Sequence, residues 1–166
     1  MEYLDAEIRR STVIRMAYNK DYPEVEKLWL QLNSLHVVLE PSLIQTVEVF
    51  MTDMEFNNIL QDVKQEILVV EDSAHIVGAA WIIERAHSGG QAIDVPVVFI
   101  KEICVSENER SLGYGKALMD NIQTWARKRK LERIEFNVWS KNKDALTFYK
   151  NLGFTFTRHE MNKSIV

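Results

Sequence analysis

The sequence has little of what builds a disulfide or metal framework. Only one of its 166 residues is a cysteine, Cys104, so an internal disulfide is excluded. The four histidines stand at positions 36, 75, 87 and 159, which is not the spacing of a zinc site. We therefore expect neither a disulfide nor a bound metal.

Long apolar runs are also missing. No stretch approaches the ~20 apolar residues that a membrane-spanning helix needs. Residues 1–5 include acidic side chains and no apolar core, unlike a secretory signal. We expect a cytoplasmic protein with no membrane partner.

An excess of positive charge is absent as well. The 20 lysines and arginines are outnumbered by 24 acidic residues, which leaves a net charge of -4. This balance disfavours nonspecific binding to nucleic acid and mildly favours a cationic partner. With 46% hydrophobic and 27% charged residues the composition is that of a globular protein, and its length suits one core. We expect a single domain over residues 1–166.

Hydrophobic periodicity predicts a strand and then a helix at the start of the chain. Residues 12–17 alternate as a short strand. Asp21 and Pro23 then offer a cap and a first-turn proline for a helix that runs to about His36. Its buried stripe is predicted to contain Val25, Leu28, Trp29, Leu32 and Leu35.

Two more helices are predicted before the next strand. Pro41 is expected to open one of them, and Asp53 is expected to cap the other, which continues through Leu60 and Val63. The helix after Pro41 would turn five apolar side chains inward, namely Leu43, Ile44, Val47, Phe50 and Met51.

The middle of the chain is rich in residues that favour strands. Residues 67–70 and 76–83 are predicted to pair as a hairpin, because the turn-prone segment 72–75 separates them. Residues 88–90 interrupt this pattern with Ser-Gly-Gly. A long strand over residues 95–105 follows, with its proline near the start, where a strand tolerates one.

Helix and strand patterns alternate in the last part of the chain. An amphipathic helix ends in a cationic run at residues 127–130, which complements the helix C-terminus and stays solvated. Residues 134–139 alternate as a strand with one buried face, and residues 154–161 are predicted as the last strand. The order of elements predicts an α/β protein with a mixed sheet flanked by helices. The apolar stripe of the amphipathic helix consists of Leu118, Ile122, Trp125 and Ala126.

A glycine loop at residues 110–116 links the long strand to that helix. Such a loop presents backbone N–H groups and a helix N-terminus to one point, which suits a pyrophosphate. It lacks the third glycine of a dinucleotide fingerprint, since Leu118 stands there, and Ala117 replaces the Ser or Thr of a Walker loop. Side chains at positions 113 and 115 would obstruct a close approach of the phosphates.

The loop and the segments after it resemble the GCN5-related N-acetyltransferase (GNAT) superfamily. Arg110, Gly113 and Gly115 match the pattern of its cofactor loop, and the later matches are Asn142, Ala145, Phe148, Tyr149 and the pair Gly153-Phe154. The likeness covers roughly the last 70 residues well. It implies the GNAT fold, whose mostly antiparallel sheet contains a splayed pair of parallel strands. It also implies that the protein binds acetyl coenzyme A (acetyl-CoA) and acetylates amines.

The resemblance also implies residues for binding the cofactor. The end of the long strand would pair with the pantetheine arm, and one of its N–H groups would stabilise the oxyanion. Asn142 would cap its helix and also bind pantetheine. The full set is Ile103, Cys104, Val105, Arg110, Ser111, Leu112, Gly113, Tyr114, Gly115, Lys116, Ala117, Asn137, Asn142, Ala145, Phe148 and Tyr149.

Two catalytic roles follow, the first of them from the resemblance. Tyr149 would point its hydroxyl at the sulfur of coenzyme A and assist the departing thiolate. Glu102, late in the strand, is the first candidate for the base that deprotonates the acceptor, with Glu135 or a water chain as alternatives. Cys104 is interpreted as a small core residue rather than an acyl carrier, because no histidine lies in the nearby motifs.

One residue differs from the pattern of a GNAT subfamily and argues against membership in it. In the ribosomal-protein N-terminal acetyltransferases, which the chain resembles overall, a glutamate stands twelve residues before the tyrosine. Here that position is Asn137. An amide cannot act as a base at neutral pH, so this subfamily is disfavoured and Asn137 would orient substrate or cofactor.

The acceptor is the least determined part of the function. We expect a primary amine, either a small molecule such as a polyamine or an aminoglycoside or a peptide N-terminus, which attacks directly in a ternary complex. The rivals are a noncatalytic acyl-CoA-binding module and a nucleotide-binding protein. A homodimer stays open. Five residues would line the acceptor pocket unless they belong to the core: Tyr18, Tyr22, Trp29, His36 and Trp139.

Overall fold

A computed structural model describes residues 12–87 and 94–165 of the chain. The expectations for residues 1–5 and 88–90 lie outside these ranges. Two short 3-10 turns, Asn19–Asp21 and Glu107–Glu109, join the regular elements. In chain order the elements are β1 (Thr12–Met16), α1 (Tyr22–Leu39), α2 (Asp53–Gln61), β2 (Gln65–Asp72), β3 (His75–Ala86), β4 (Pro96–Val105), α3 (Tyr114–Lys128), β5 (Arg133–Glu135) and α4 (Lys143–Asn151).

The five strands form one mixed sheet in the order β1-β2-β3-β4-β5. The first three pairings are antiparallel, and β4 and β5 run parallel. The predicted hairpin is confirmed as β2 and β3, joined at Ser73 (φ 50°) and Ala74 (φ 66°). Positive φ at both central residues is the turn geometry that matches the twist of paired strands. The predicted fold class is therefore confirmed.

Helices cover both faces of the sheet. Along β2, Leu68 and Val70 face the core beneath α3, whereas Ile67 and Val69 face the core beneath α1 and α2. Both sets are buried because side chains on a strand alternate between faces. In residues 12–87 and 94–165, no helix is long and apolar enough to span a membrane.

The parallel pair separates soon after it forms. Pairing of β4 with β5 is limited to Val97 with Arg133, Val98 with Ile134 and Phe99 with Glu135. The later part of β4 continues to Val105 beside β3 alone, while the chain after Glu135 leaves the sheet. We call the resulting opening between residues 100–105 and residues 136–139 the splay.

The predicted helix after Pro41 is wrong. Residues 44–52 belong to no helix or strand, and Leu43 is 57% exposed. The backbone is held by side chains of α1 instead. Asn33 binds the Gln45 carbonyl (3.1 Å) and the Val47 N–H (3.2 Å). Glu26 also accepts hydrogen bonds there, from the N–H groups of Phe50 and Met51.

Two predicted helix caps are corrected. Asp21 does not cap α1, because its buried carboxylate instead binds Arg15 (2.6 Å) and the Tyr18 N–H (2.7 Å). Thr52, not Asp53, caps α2, and it forms a reciprocal capping box with Glu55. Such a cap is worth about 1 kcal/mol. Val63 lies beyond the end of α2 and is exposed.

The end of the chain differs most from the prediction. Gly153 and Phe154 do stop α4, since their N–H groups bind the carbonyls of Lys150 (2.9 Å) and Tyr149 (3.0 Å). The last predicted strand is absent, because residues 154–165 lie in no helix or strand. Phe154 packs 5.1 Å from Phe136, but residues 155–165 are exposed, so they offer no buried face that would hold them to the sheet.

Two smaller predictions also need correction. The strand predicted over residues 134–139 is assigned only from Arg133 to Glu135, where Arg133 is exposed and the other two side chains are half-buried. Within the cationic run, Arg129 is not simply solvated. It donates to the Val63 carbonyl (2.8 Å), pairs with Glu84 (3.0 Å) and stacks on Trp125 (4.3 Å).

Candidate functional site

The end of β4 turns two peptide groups toward the splay. The Ser106 N–H donates to the Val77 carbonyl on β3 (2.8 Å), and the register pairs Ala79 with Cys104. Because peptide groups alternate in direction along a strand, those of Ile103 and Val105 face away from β3. Neither N–H has a hydrogen-bond partner among the described residues. The splay therefore contains two free main-chain donors.

The glycine loop adds a second set of donors. After the turn at Glu107–Glu109 the backbone takes positive φ at Ser111 (66°) and Gly113 (88°), and α3 begins at Tyr114. In the described part of the chain, the N–H groups of residues 111–116 have no partner. The Ala117 N–H is occupied, because it donates to the Gly113 carbonyl (3.0 Å). These donors, with the positive end of a 15-residue helix, suit an anion.

The two glycines of the loop have different physical reasons. Gly113 needs its positive φ, and a Cβ there would meet no atom within 4 Å. At Gly115 a Cβ would lie 3.2 Å from the Phe148 ring of α4. Gly115 therefore lets α4 approach the start of α3, in addition to leaving the backbone open.

Most side chains of the loop point away from its donors. Tyr114 is buried, and its hydroxyl donates to Asp72 (3.1 Å), which anchors the start of α3 to the sheet. Lys116 pairs with Asp120 (2.7 Å). The Arg110 guanidinium lies over the end of β4, with Nε 3.4 Å from the Val105 carbonyl. Ser111 and Leu112 are exposed.

Tyr149 lies on the opposite side of the splay from β4. Its ring packs 4.3 Å from Phe136 and 5.1 Å from Phe148. Burial, and secondarily the charge of a Cys104 thiolate, raises the pKa of Tyr149 to about 12. Tyr149 packs against the same core cluster as Ile103 and Val105 of β4. Asn142 caps α4 as predicted, since its Oδ1 accepts from the Ala145 N–H (3.1 Å).

Cys104 is an inert thiol in this arrangement. It is buried, and burial raises its pKa to about 11, so the thiol is protonated at neutral pH. Its sulfur lies 3.3 Å from the Gln31 amide nitrogen of α1. The geometry agrees with a small core residue rather than a nucleophile.

Glu102 is the carboxylate that the site perturbs most. It is half-buried, and burial raises its pKa from 4.5 to about 7, which neighbouring Lys101 partly offsets. It shares a strand face with Cys104, so it points toward α1, beside its cross-strand partner Trp81. A carboxylate with such a pKa is suited to exchange protons near pH 7.

The other polar candidates on β5 are less suited to catalysis. Glu135 is held by the His87 ring nitrogen at 2.7 Å, and its side chain is 16% exposed. Asn137 is exposed and follows Phe136 at the edge of the splay. Glu102 is therefore better placed than Glu135 to receive a proton.

Helix α1 crosses the splay. Its middle contacts the end of β4 through Gln31, and farther along its His36 ring lies 6.3 Å from Trp139. At its end, Glu40 pairs with Lys141 at 3.0 Å. One side of the splay is thus walled by α1 and the segment after β5.

Only part of the predicted acceptor lining reaches this wall. Trp29 is fully buried in the core beneath α1, and Tyr22 donates to the Met51 carbonyl (2.8 Å). Tyr18 is 57% exposed and lies against Arg15. Gln31 was missed, although a polar residue three positions after buried Leu28 on the inward stripe is a usable signal.

Residues 12–87 and 94–165 contain no cluster of three or more His, Cys, Asp or Glu side chains that could hold an ion.

Comparison with known proteins also indicates an acetyltransferase. A family model described as the acetyltransferase (GNAT) family matches residues 29–154. The 5-NmdU N-acetyltransferase of Pseudomonas phage PaMx11 is 28% identical over 103 residues, which are 57% of this chain and 70% of that protein.

Solved structures show the same fold. The BH1408 protein of Bacillus halodurans is 25% identical with a TM-score of 0.88, over 93% of this chain and 99% of that one. The aminoglycoside N-acetyltransferase AAC(6')-Iy, solved with CoA, has a TM-score of 0.71 at 18% identity. That comparison covers 92% of this chain and 98% of the other, and it concerns the fold alone.

Proposed function

Because the chain belongs to the acetyltransferase (GNAT) family, we propose that it is an acetyl-CoA-dependent N-acetyltransferase. In this proposal a primary amine attacks the thioester directly in a ternary complex. The observation that carries it is the pair of free N–H groups at the end of β4, which face the splay that Tyr149 borders.

The two sets of donors match the two ends of acetyl-CoA. The diphosphate would bind the N–H groups of residues 111–116, with Arg110 beside them. The pantetheine arm would lie along residues 103–105 in the manner of an added strand. Asn142, Ala145, Phe148 and Asn137 would line the other side of the arm.

In this proposal one group of the protein accepts the proton of the acceptor, one holds the oxyanion and one assists the departing thiolate. Glu102 accepts a proton from the acceptor ammonium, whose pKa is near ~10. The amine nitrogen bonds to the thioester carbon, and the oxyanion is held by the N–H of Ile103 or Val105. When the intermediate collapses, the C–S bond breaks and the nitrogen loses its second proton, which leaves a neutral amide. The thiolate departs toward the Tyr149 hydroxyl and takes up that proton through solvent.

Tyr149 acts mainly by holding the thiolate. Its pKa of about 12 is well above the ~8.5 of an ordinary thiol, so full proton transfer from the phenol is uphill. A hydrogen bond from its hydroxyl still lowers the energy of the departing anion. The tyrosine remains protonated at every pH at which the protein would work.

The acceptor class rests on charge and on relatives. The net charge of -4 suits a cationic amine, and the carboxylate of Glu102 faces the acceptor wall. One relative is named for the N-acetylation of 5-NmdU, and a structural neighbour for that of aminoglycosides. We propose a small-molecule amine, such as a polyamine or an aminoglycoside, or a peptide N-terminus.

The test is thiol release from acetyl-CoA with a panel of amines. The panel should contain a polyamine, an aminoglycoside, an aminomethylated nucleoside and a peptide with a free N-terminus. We expect at least one amine to give turnover above hydrolysis. Thermal stabilisation by acetyl-CoA without thiol release from any amine would instead identify a noncatalytic binding module. Stabilisation by ATP or NAD but not by CoA would identify a nucleotide-binding protein.

A further inference from the structure

Gln31 on α1 makes hydrogen bonds on both sides of Ser106. Its amide nitrogen donates to the Val105 carbonyl at 3.2 Å. Its amide oxygen accepts from the Glu107 N–H, also at 3.2 Å. One side chain therefore holds the last residue of β4 and the first residue of the turn that follows.

The junction that Gln31 holds connects the two sets of donors. Residues 103–105 carry the free N–H groups in the splay, and residues 107–113 lead to the donors of the glycine loop. On the other side of the junction, Ser106 is bonded to β3 through Val77. The backbone at residues 105–107 is thus fixed from the sheet and from α1.

Helix α1 is a rigid support for this contact. Val25 and Trp29 are fully buried, and Leu28, one turn before Gln31, is 5% exposed. Gln31 itself is half-buried beside Cys104 and stands 74 residues from Val105 in sequence. A long-range bond from a packed helix restricts the strand end more than a local bond within the loop would.

We propose that Gln31 is a positioning residue, whose carboxamide holds the end of β4 so that its free N–H groups meet the thioester carbonyl. The inference rests on the proposed function. The diphosphate is held by the loop, whereas Gln31 sets the donors that face the reacting carbon. Its loss therefore acts on turnover more than on cofactor affinity.

Two substitutions test the contact. Gln31→Met keeps the length of the side chain and removes both hydrogen bonds. We expect kcat to fall about tenfold, which corresponds to about 1.4 kcal/mol, while the Kd for CoA changes by less than about threefold. The proposal would be overturned if the folded variant changed kcat by less than twofold. It would also be overturned if the variant bound CoA more weakly without any fall in kcat.

Gln31→Glu supplies a rescue that depends on pH. A protonated glutamic acid can donate to the Val105 carbonyl, but the carboxylate cannot. Gln31 contacts the Cys104 sulfur and the Glu107 N–H, and the charged groups that act on Cys104 are Arg110, Glu102 and Glu107. We expect kcat of Gln31→Glu, taken as a ratio to the unaltered chain, to rise at least twofold from pH 8 to pH 5, because about one-fifth of an ordinary glutamic acid is protonated at pH 5. The same ratio for Gln31→Met should stay flat.

The matched control is Ser34→Glu, which adds the same charge to α1 at an exposed position. The ratio of its kcat to that of the unaltered chain should stay near one at every pH. A rise of this ratio at low pH would show that the added charge alone causes the effect, and the rescue would then not support the role of Gln31. Hydrogen exchange of residues 103–109 gives a readout without turnover, and it should be faster in Gln31→Met. Unchanged exchange would contradict the contact.

A failure of the proposed function can be distinguished from a failure of the role proposed for Gln31. It would show as the absence of thiol release by the unaltered chain with every amine, before any variant is made. Failure of the positioning role would show only in the comparison of variants of an active enzyme.

Discussion

Substituting Glu102 with glutamine should stabilise the folded chain at alkaline pH while it lowers the activity. Glutamine has nearly the same shape and carries no charge, so it removes the penalty of burying a carboxylate. The substitution also removes the group that would accept the proton of the acceptor. Stability and turnover should therefore move in opposite directions.

The magnitude follows from the pKa of Glu102. Burial raises that pKa from 4.5 to about 7, and each unit of pKa is worth about 1.4 kcal/mol, so the ionised side chain lowers stability by at most about 3 kcal/mol. Below pH 4.5 the carboxyl is protonated in both the folded and the unfolded chain, and the penalty vanishes. Between pH 4.5 and 7 the unfolded chain ionises first, so stability falls as the pH rises. Above pH 7 the full penalty applies.

The assay is urea unfolding of both chains at pH 4, 5.5 and 8. We expect equal free energies of unfolding at pH 4, and Glu102→Gln more stable by up to about 3 kcal/mol at pH 8. In turnover measurements kcat/KM of the unaltered chain should rise with an apparent pKa near 7, and this limb should be missing from Glu102→Gln.

Glu132→Gln is the matched control, because Glu132 is exposed and distant from the splay in the fold. It should leave the pH dependence of stability and of turnover unchanged. A stability difference for Glu102→Gln that is the same at all three pH values would refute the burial argument. An unchanged pH profile of kcat/KM would remove Glu102 as the base.

Two further substitutions separate binding and chemistry from packing. Tyr149→Phe keeps the ring against Phe136 and should lower kcat by about 10- to 100-fold with little change in the Kd for CoA. By contrast, Tyr22→Phe loses the bond to the Met51 carbonyl and should lower stability but not kcat. Equal losses of kcat and affinity in Tyr149→Phe would mark a packing residue. Gly115→Ala should weaken CoA binding, because a side chain at this position obstructs the close approach of the diphosphate to the N–H groups of the loop. Adding Phe148→Leu relieves the 3.2 Å contact of the new Cβ with the ring and should not restore CoA affinity; its recovery would show that only packing requires this glycine.

Local signals account for what could be predicted from the sequence. The hairpin, β4 with its initial proline, the cap at Asn142 and the helix stop at Gly153 each depend on a few adjacent residues. The glycine loop and α3 are of the same kind, because backbone geometry and helix propensity act over one or two turns.

The errors occur where distant side chains decide the backbone. Apolar spacing after Pro41 suggested a helix, but the N–H and carbonyl groups there bind Asn33 and Glu26 of α1. The role of Gln31 depends on residues that follow it by more than 70 positions. Alternation over residues 154–161 predicted a strand, yet no neighbouring strand pairs with it within the described ranges. Pattern reasoning does not include such partners.

A crystal structure with a nonhydrolysable acetyl-CoA analogue tests the central claim most directly. We predict diphosphate oxygens within about 3 Å of the N–H groups of residues 111–116. We further predict the carbonyl of the analogue at the N–H of Ile103 or Val105, with the atom that replaces sulfur beside the Tyr149 hydroxyl. An analogue bound elsewhere, with the end of β4 and the glycine loop untouched, would contradict the account.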